Sequence, residues 1–237
     1  MHDRRDCGIH KLCPSGDEQN LARRMVFGRP AKLLKRGQYL YHTGEPLRAV
    51  YGVRSGSIKA WLVAADGRVQ VIGFHIAGDP IGFSSFSAGQ YTSDASALEE
   101  TQVCELPLDS LQQFAKEVPG VQDQMLRIMS DEILRGQESM LLLGGKTAEQ
   151  RLAGFLLSLS SRFASQVGVH NQLTLSMSRS DIGSYLGIAE ETVSRLFTQF
   201  QHDGLLTVHR RQITLNLPEK LSALAGEPGT TNYRFPL

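Results

Sequence analysis

The sequence predicts an α+β chain in three parts: a glycine-punctuated antiparallel β domain, one long helix, and a C-terminal helix-turn-helix followed by a two-stranded wing. Three observations carry this reading. Between Arg29 and Leu108, short apolar runs are broken by Gly37, Gly44, Gly52, Gly56, Gly67, Gly73, Gly78 and Gly82, as in a small antiparallel barrel or sandwich. After Leu108 the apolar period lengthens to three and four residues, the spacing of one helix face. Ser178 to Leu196 then holds two short helical patterns on either side of Gly187.

Bulk properties bound the reading. The 237 residues suit two domains, and 41% hydrophobic with 21% charged residues is ordinary for a soluble globular chain with a sizeable core. No apolar run reaches a membrane span, and Met1-His2-Asp3-Arg4-Arg5-Asp6 lacks the apolar stretch of a signal peptide, so a cytoplasmic protein with no membrane partner is expected. In that compartment three cysteines read as buried packing residues, redox thiols or metal ligands rather than a disulfide set. A formal net charge of +1 requires any nucleic-acid footprint to be local.

Taken in order, residues 1–24 form a polar segment carrying Cys7 and Cys13, expected as a loop and a short helix. Residues 25–117 are the β domain, where Asp66-Gly67 makes a hairpin turn because both positions tolerate positive φ. Residues 118–145 are the long helix, which Pro119 can open in its first turn. Met125, Ile128, Met129, Ile133 and Met140 mark its apolar surface and are the candidate dimerisation residues, and a second edge of Leu126, Ile133 and Met140 recurs every seven residues. A helix packed wholly within its own chain is the plain reading; the second edge favours pairing with a second copy in a homodimer. Gly136 weakens the helix by about 1 kcal/mol relative to alanine.

Gly144-Gly145-Lys146 is expected to break that helix and open a domain over 146–226, with a periodic helix from Thr147 to Phe163. In the hairpin that follows, Ser178 and Asp181 make a capping pair and Gly187 supplies the turn. Gly183 is small where the second helix crosses the first. That second helix runs through Phe197 and Phe200 to Asp203-Gly204. Leu205 to Val208 and Gln212 to Leu215, separated by His209-Arg210-Arg211, form the wing, and 227–237 read as a disordered tail.

The second helix exposes Glu190, Glu191, Ser194 and Arg195. Arginine can bond guanine O6 and N7 together, glutamate can accept from cytosine N4, and serine reaches bases or phosphates. Acidic residues in a first turn are also favoured by the helix dipole alone, and helical arginines are usually solvated, so the hairpin context decides for base reading by Glu191, Ser194 and Arg195. Ala189 is a poor cap where a hydroxyl is expected, a deficit of about 1 kcal/mol. Arg179, Arg210 and Arg211 are placed to meet phosphates.

The order of barrel, long helix and winged helix-turn-helix resembles the CRP/FNR superfamily of dimeric transcription regulators. Gly73 to Asp79, Ala97-Leu98-Glu99, Val103 to Pro107, Met125 to Glu132 and Glu191 to Arg195 resemble its FNR branch, over about residues 7 to 225. The resemblance implies that the β domain is a β-roll like that of cyclic-nucleotide-binding proteins. It also implies a homodimer on palindromic double-stranded DNA with TTGAT-like half-sites, with Glu191, Ser194 and Arg195 contacting bases. Contact with RNA polymerase is implied as well, through a surface matched by Asp66, Gly67 and Arg68.

Relatives that bind cyclic nucleotides need an arginine for the phosphate, and no Lys or Arg stands between Gly82 and Leu98, so no cyclic nucleotide is expected. His42, Glu45 and His75 fit no trusted metal-ligand spacing. Cys7, Cys13 and Cys104 match three ligands of FNR-type iron–sulfur regulators, and thiolates suit such clusters, of which a 4Fe–4S cluster usually takes four. Three residues before Cys7 stands Arg4, which cannot ligate iron, so the fourth ligand is unidentified; Asp3, Asp6, His2 and His10 are nearby. The function implied is gene control by oxygen or redox state through an oxygen-labile cluster, the alternative being a cluster-free regulator answering to thiol oxidation, nitric oxide or no effector. An electron carrier or metal enzyme finds no nucleophile–base pair in the sequence.

Overall fold

In the computed structural model, which describes residues 31–118, 120–167 and 171–226, the glycine-punctuated region folds into strands paired antiparallel throughout. They are β1 (Lys32–Leu34), β2 (Tyr39–Tyr41), β3 (Ala49–Ser55), β4 (Ser57–Val63), β5 (Val69–Ile76), β6 (Pro80–Ile81), β7 (Asp94–Ala97) and β8 (Thr101–Pro107). Two four-stranded sheets result, in the orders β1-β8-β3-β6 and β2-β7-β4-β5. Period-2 alternation turns Leu34, Val53 and Val103 of one sheet and Tyr41, Ile58 and Ala95 of the other into one core. That core is mostly aliphatic, with three tyrosines set into it. Tyr41 and Tyr91 stack with ring centroids 3.8 Å apart and 4° between planes, and Tyr51 lies 6.3 Å from Tyr41. The Tyr91 hydroxyl donates to the Ala49 carbonyl at 2.7 Å, and burial pushes the Tyr41 and Tyr51 phenols far above their usual range.

Helix α1 (Leu108–Glu117) follows directly on β8 and buries Leu111 and Phe114. Helix α2 (Val121–Gly145) is the long helix. It ends at Gly145, the bound expected from Gly144-Gly145-Lys146, while the chain divides into compact units earlier, between Gly136 and Gln137, within α2. This differs from a boundary at Gly144 to Lys146 for a physical reason. Beyond Gly136 the side chains of Ser139, Leu142 and Leu143 meet residues of the C-terminal unit: the Ser139 and Tyr185 hydroxyls are 3.0 Å apart, and Leu142 and Leu143 cover Gly154 and Gly187.

The C-terminal unit continues with α3 (Ala148–Val167), β9 (Gln172–Thr174), α4 (Arg179–Leu186), α5 (Glu190–His202), β10 (Leu206–His209), β11 (Gln212–Leu215) and α6 (Pro218–Leu224). Leu152, Leu156 and Leu159 of α3 are buried, as are Ile182, Leu186, Val193, Phe197 and Phe200 of the two following helices. The wing gains β9 as a third strand, in the order β10-β11-β9. No helix among the described residues is long and apolar enough to cross a membrane.

Candidate nucleic-acid interface

The hairpin is built from local chemistry. Ser178 caps α4: its hydroxyl accepts from the Asp181 N–H at 3.0 Å, and the Asp181 carboxylate accepts from the Ser178 N–H at 3.0 Å. Gly187 ends the helix in the left-handed region at φ 63°, where a side chain would be strained. Gly183 is required by close approach, because a Cβ there would lie 2.6 Å from the Ile188 carbonyl oxygen. Helix α5 starts without a side-chain cap at Ala189, and Glu190 and Glu191 in its first turn supply the compensating negative charge.

One face of α5 is buried through Val193, Leu196, Phe197 and Phe200. The opposite face presents Glu190, Glu191, Ser194, Arg195 and Thr198 to solvent, spaced as neighbours on a helix. Glu191, Ser194 and Arg195 therefore share one exposed surface within two turns. Arg179 is held differently from a solvated cation. Its guanidinium carbon lies 3.3 Å from the centre of the Phe197 ring, half-buried, where desolvation lowers its pKa. Arg210 and Arg211 are exposed at the turn between β10 and β11, with Arg210 at φ 58°, a strained setting for a side-chain-bearing residue.

In the N-terminal unit, the first turns of α2 rest on the roll. Ile128 is only 5% exposed and joins Val50, Phe83, Leu106 and Leu111, with Met125, Met129 and Cys104 packed against the same cluster. Ile133 and Met140 are 63% and 73% exposed, as are Leu126 and Leu141 at similar levels. The five residues proposed for dimerisation thus divide: Ile128, with Met125 and Met129 beside it, packs on its own chain, because residues three and four apart share the face toward the roll. The outward edge consists of Leu126, Ile133 and Met140.

That inward face also carries charge, which apolar periodicity does not reveal. Glu132 is hydrogen-bonded by the Ser84 side chain and backbone, burial raises its pKa, and Arg135 stands 3.8 Å from the buried Asp79 carboxylate. The available signal was the i+4, i+7 continuation of Ile128 to Glu132 and Arg135.

Cys104 is half-buried on β8, opposite Gly52 of β3. Cys7 and Cys13 lie outside the described residues, as do Pro119, the 1–24 segment and the 227–237 tail. Among the described residues no three His, Cys, Asp or Glu side chains gather as a metal site. His42 is instead 3.2 Å from Asp94, and His75 bonds the Pro80 carbonyl oxygen at 3.0 Å. Asp66, Gly67 and Arg68 form an exposed hairpin tip, with Gly67 at φ 83° and the Arg68 Nε donating to Asp66 at 2.7 Å. That bond and the Arg68 backbone N–H hold the Asp66 carboxyl below its usual pKa.

Residues 31–118 match the family model of the cyclic nucleotide-binding domain, and residues 150–224 match that of the Crp-like helix-turn-helix domain. The chain is 40% identical over 223 residues to the fumarate and nitrate reduction regulatory protein of Escherichia coli, covering 93% of this chain and 89% of that protein. The chain belongs to the Crp/FNR family. The Yersinia pestis protein of the same name is likewise 40% identical, over 94% of this chain and 90% of its own length. Among solved structures, FixK2 from Bradyrhizobium japonicum is 32% identical with a TM-score of 0.76, covering 85% of this chain and 98% of its own. A CRP-family regulator from Thermus thermophilus, 20% identical with a TM-score of 0.67 over 84% of this chain and 98% of its own, shares the fold. As a Crp/FNR protein the chain is a DNA-binding transcription regulator, not an enzyme, and the family acts as dimers.

Proposed function

We propose that this Crp/FNR regulator couples oxygen or redox state to the reading of a palindromic DNA site, with Glu191, Ser194 and Arg195 of each protomer contacting the bases of a TTGAT-like half-site. Arg195 offers the bidentate donor pair for guanine, Glu191 an acceptor for a cytosine amino group, and Ser194 a short donor between them. Arg210, Arg211 and the outer edge of Arg179 meet phosphates on either side and fix register. Leu126, Ile133 and Met140 form the seam between two copies of α2, and Asp66, Gly67 and Arg68 offer a contact to RNA polymerase.

Sensing is assigned to the three thiols. Cys7, Cys13 and Cys104 supply donors suited to a 4Fe–4S cluster, and the observation that carries this assignment is that Cys104 packs on the same cluster as Met125, Ile128 and Met129. When bound, such a group supplies an oxygen-labile tether of thiolate bonds. The chain's own contribution is mechanical: a change in packing at Cys104 is felt directly by the first turns of α2, whose opposite face makes the dimer seam. In this proposal the ligands that join Cys104 are Cys7 and Cys13 of the N-terminal segment. The related regulators are named for fumarate and nitrate reduction, and the same redox setting is proposed for this chain.

The roll itself takes no cyclic nucleotide in this proposal. Tyr41, Tyr91 and Tyr51 lie against one another in its core, and the 82–98 stretch brings no cation to a phosphate. The presence of Arg4 three residues before Cys7 favours a second reading, in which the thiols respond to oxidation or nitric oxide without a cluster.

Purification under anaerobic conditions, followed by iron and acid-labile sulfide analysis, tests the sensor: a colourless, metal-free dimer that binds DNA equally well in air refutes it. Thiol titration with and without reductant separates the second reading. Arg195→Ala is expected to lose about 1–3 kcal/mol of discrimination at one base pair while keeping the fold, and unchanged operator preference would remove Arg195 from the reading set.

A further inference from the structure

Arg151 of α3 gathers three carbonyl oxygens from two stretches of chain, the end of α2 with its connection and the end of α4. Its Nη2 donates to Leu143 in the last turns of α2 at 2.8 Å, and its Nε donates to Lys146 in the connection at 2.9 Å. Its Nη1 donates to Leu186 at the end of α4 at 3.0 Å. Carbonyls in the last turn of a helix have no partner within their own helix, and the dipole there favours a cation, so the guanidinium caps the ends of α2 and α4 at once. A guanidinium is planar with donors in a fixed fork, so a single side chain fixes the directions of all three acceptors together. The joint is reinforced on both sides. The Ser139 and Tyr185 hydroxyls lie 3.0 Å apart, and a Cβ on Gly187 would meet Leu143 at 3.3 Å and the Arg151 Nη1 at 3.5 Å. All of these residues belong to the C-terminal unit, which begins at Gln137.

We propose that Arg151 is a specificity-determining residue for half-site spacing: by tying the last turns of α2 to α4, it fixes the direction in which each protomer presents α5. The inference rests on the reading in which α2 forms the dimer seam and α5 reads a half-site. Two reading helices on one face of a duplex must lie about one helical turn, roughly 34 Å, apart. When each joint is stiff, the seam and the joint set that separation. When the joint is loose, each reading helix reaches its half-site independently, and the pair tolerates other spacings at the cost of the entropy of a flexible connection. Arg151 touches no DNA in this scheme and acts through α4 and α5.

The test compares full-length wild type, Arg151→Lys and Arg151→Met. Fluorescence anisotropy measures binding to a palindrome at its preferred spacing, to palindromes shortened or lengthened by one and two base pairs, and to a single half-site. Sedimentation monitors the dimer. Wild type is expected to prefer one spacing; wild type indifferent to spacing overturns the underlying dimer reading and the proposal with it. Against a discriminating wild type, Arg151→Met is expected to bind the preferred palindrome about tenfold more weakly while its half-site affinity stays within about twofold, so that the spacing preference collapses. Arg151→Lys, which keeps the charge but offers only a point donor, is expected to fall between them, and it decides the question if the methionine variant does not fold. A merely structural cap would lower the melting temperature of both variants and leave the ranking of spacings untouched. That result overturns the proposal while leaving the DNA-reading assignment intact.

Discussion

Replacing Gly183 by alanine sets two effects of similar size against each other. Gly183 lies inside α4, where alanine is the better helix former by about 1 kcal/mol. The added Cβ, however, would sit 2.6 Å from the Ile188 carbonyl oxygen, 3.5 Å from the Glu190 nitrogen and 3.6 Å from the Ala189 carbonyl carbon, all backbone atoms. Restoring ordinary contact requires the chain entering α5 to retreat by roughly 0.8 Å. That shift also strains the Ile188 N–H to Gly183 carbonyl hydrogen bond, now 3.0 Å. Overpacking of this kind costs about 1–3 kcal/mol, so the net destabilisation is expected near 1 kcal/mol. Under the proposed reading the functional loss is larger than the stability loss, because this turn sets the direction in which α5 is presented to DNA. Losing one base contact, worth about 1–3 kcal/mol, weakens binding to each half-site by roughly five- to 150-fold. The assay is anisotropy with operator and scrambled duplexes beside urea unfolding. The internal control is Gly136→Ala in α2, where nothing lies within 4 Å of the new Cβ and a gain of about 0.5–1 kcal/mol is expected. If Gly183→Ala matches the control in stability and keeps wild-type operator affinity, the close-approach argument is wrong.

Further outcomes follow from the same geometry. Ser178→Ala removes the acceptor for the Asp181 N–H and is expected to destabilise the C-terminal unit by about 1 kcal/mol, measured by thermal unfolding. Arg210→Gly relieves the strained φ of 58° but removes a cation from the wing. Its expected signature is weaker binding to every sequence alike, with the slope of log affinity against log salt reduced by about one per protomer. Glu132 has its pKa raised by burial, so relative to the unfolded chain its folded form favours the protonated state. Its contribution to stability is fully present below the usual carboxyl range near 4.5 and is lost as pH rises through the raised folded value. Glu132→Gln, which mimics the neutral form, is therefore expected to match wild type in acid and to exceed it progressively toward neutral pH in urea titrations; a constant difference at all pH values would refute the assignment.

The helix-turn-helix was legible because each of its signals is local. A cap and its partner stand three residues apart, the left-handed turn needs one glycine, and the buried and exposed residues of α5 alternate within two turns. The β character of residues 32–107 was legible for the same reason, through glycine spacing and alternation. Helix α1 escaped notice because it starts directly after Pro107 without a side-chain cap and its apolar residues blend into the period of the next helix. Strand β9 is three residues long with one buried side chain, Leu173, and exists only because β11 offers it an edge. Helix α6 is a single short segment opened by Pro218, with Leu221 its buried residue.

The long helix separates the two kinds of information most sharply. By itself the sequence determined that α2 has two apolar edges, since side-chain spacing along a helix is a property of the helix alone. Only the tertiary structure decided that Met125, Ile128 and Met129 face the roll while Leu126, Ile133 and Met140 stay outside, because that choice depends on where another element comes to rest. Arg151 makes the same point for a polar residue. In the sequence it is one more helical cation, indistinguishable from a solvated charge, because the backbone carbonyls of Leu143, Lys146 and Leu186 that it gathers are common to every residue type and become a site only when the chain brings them together.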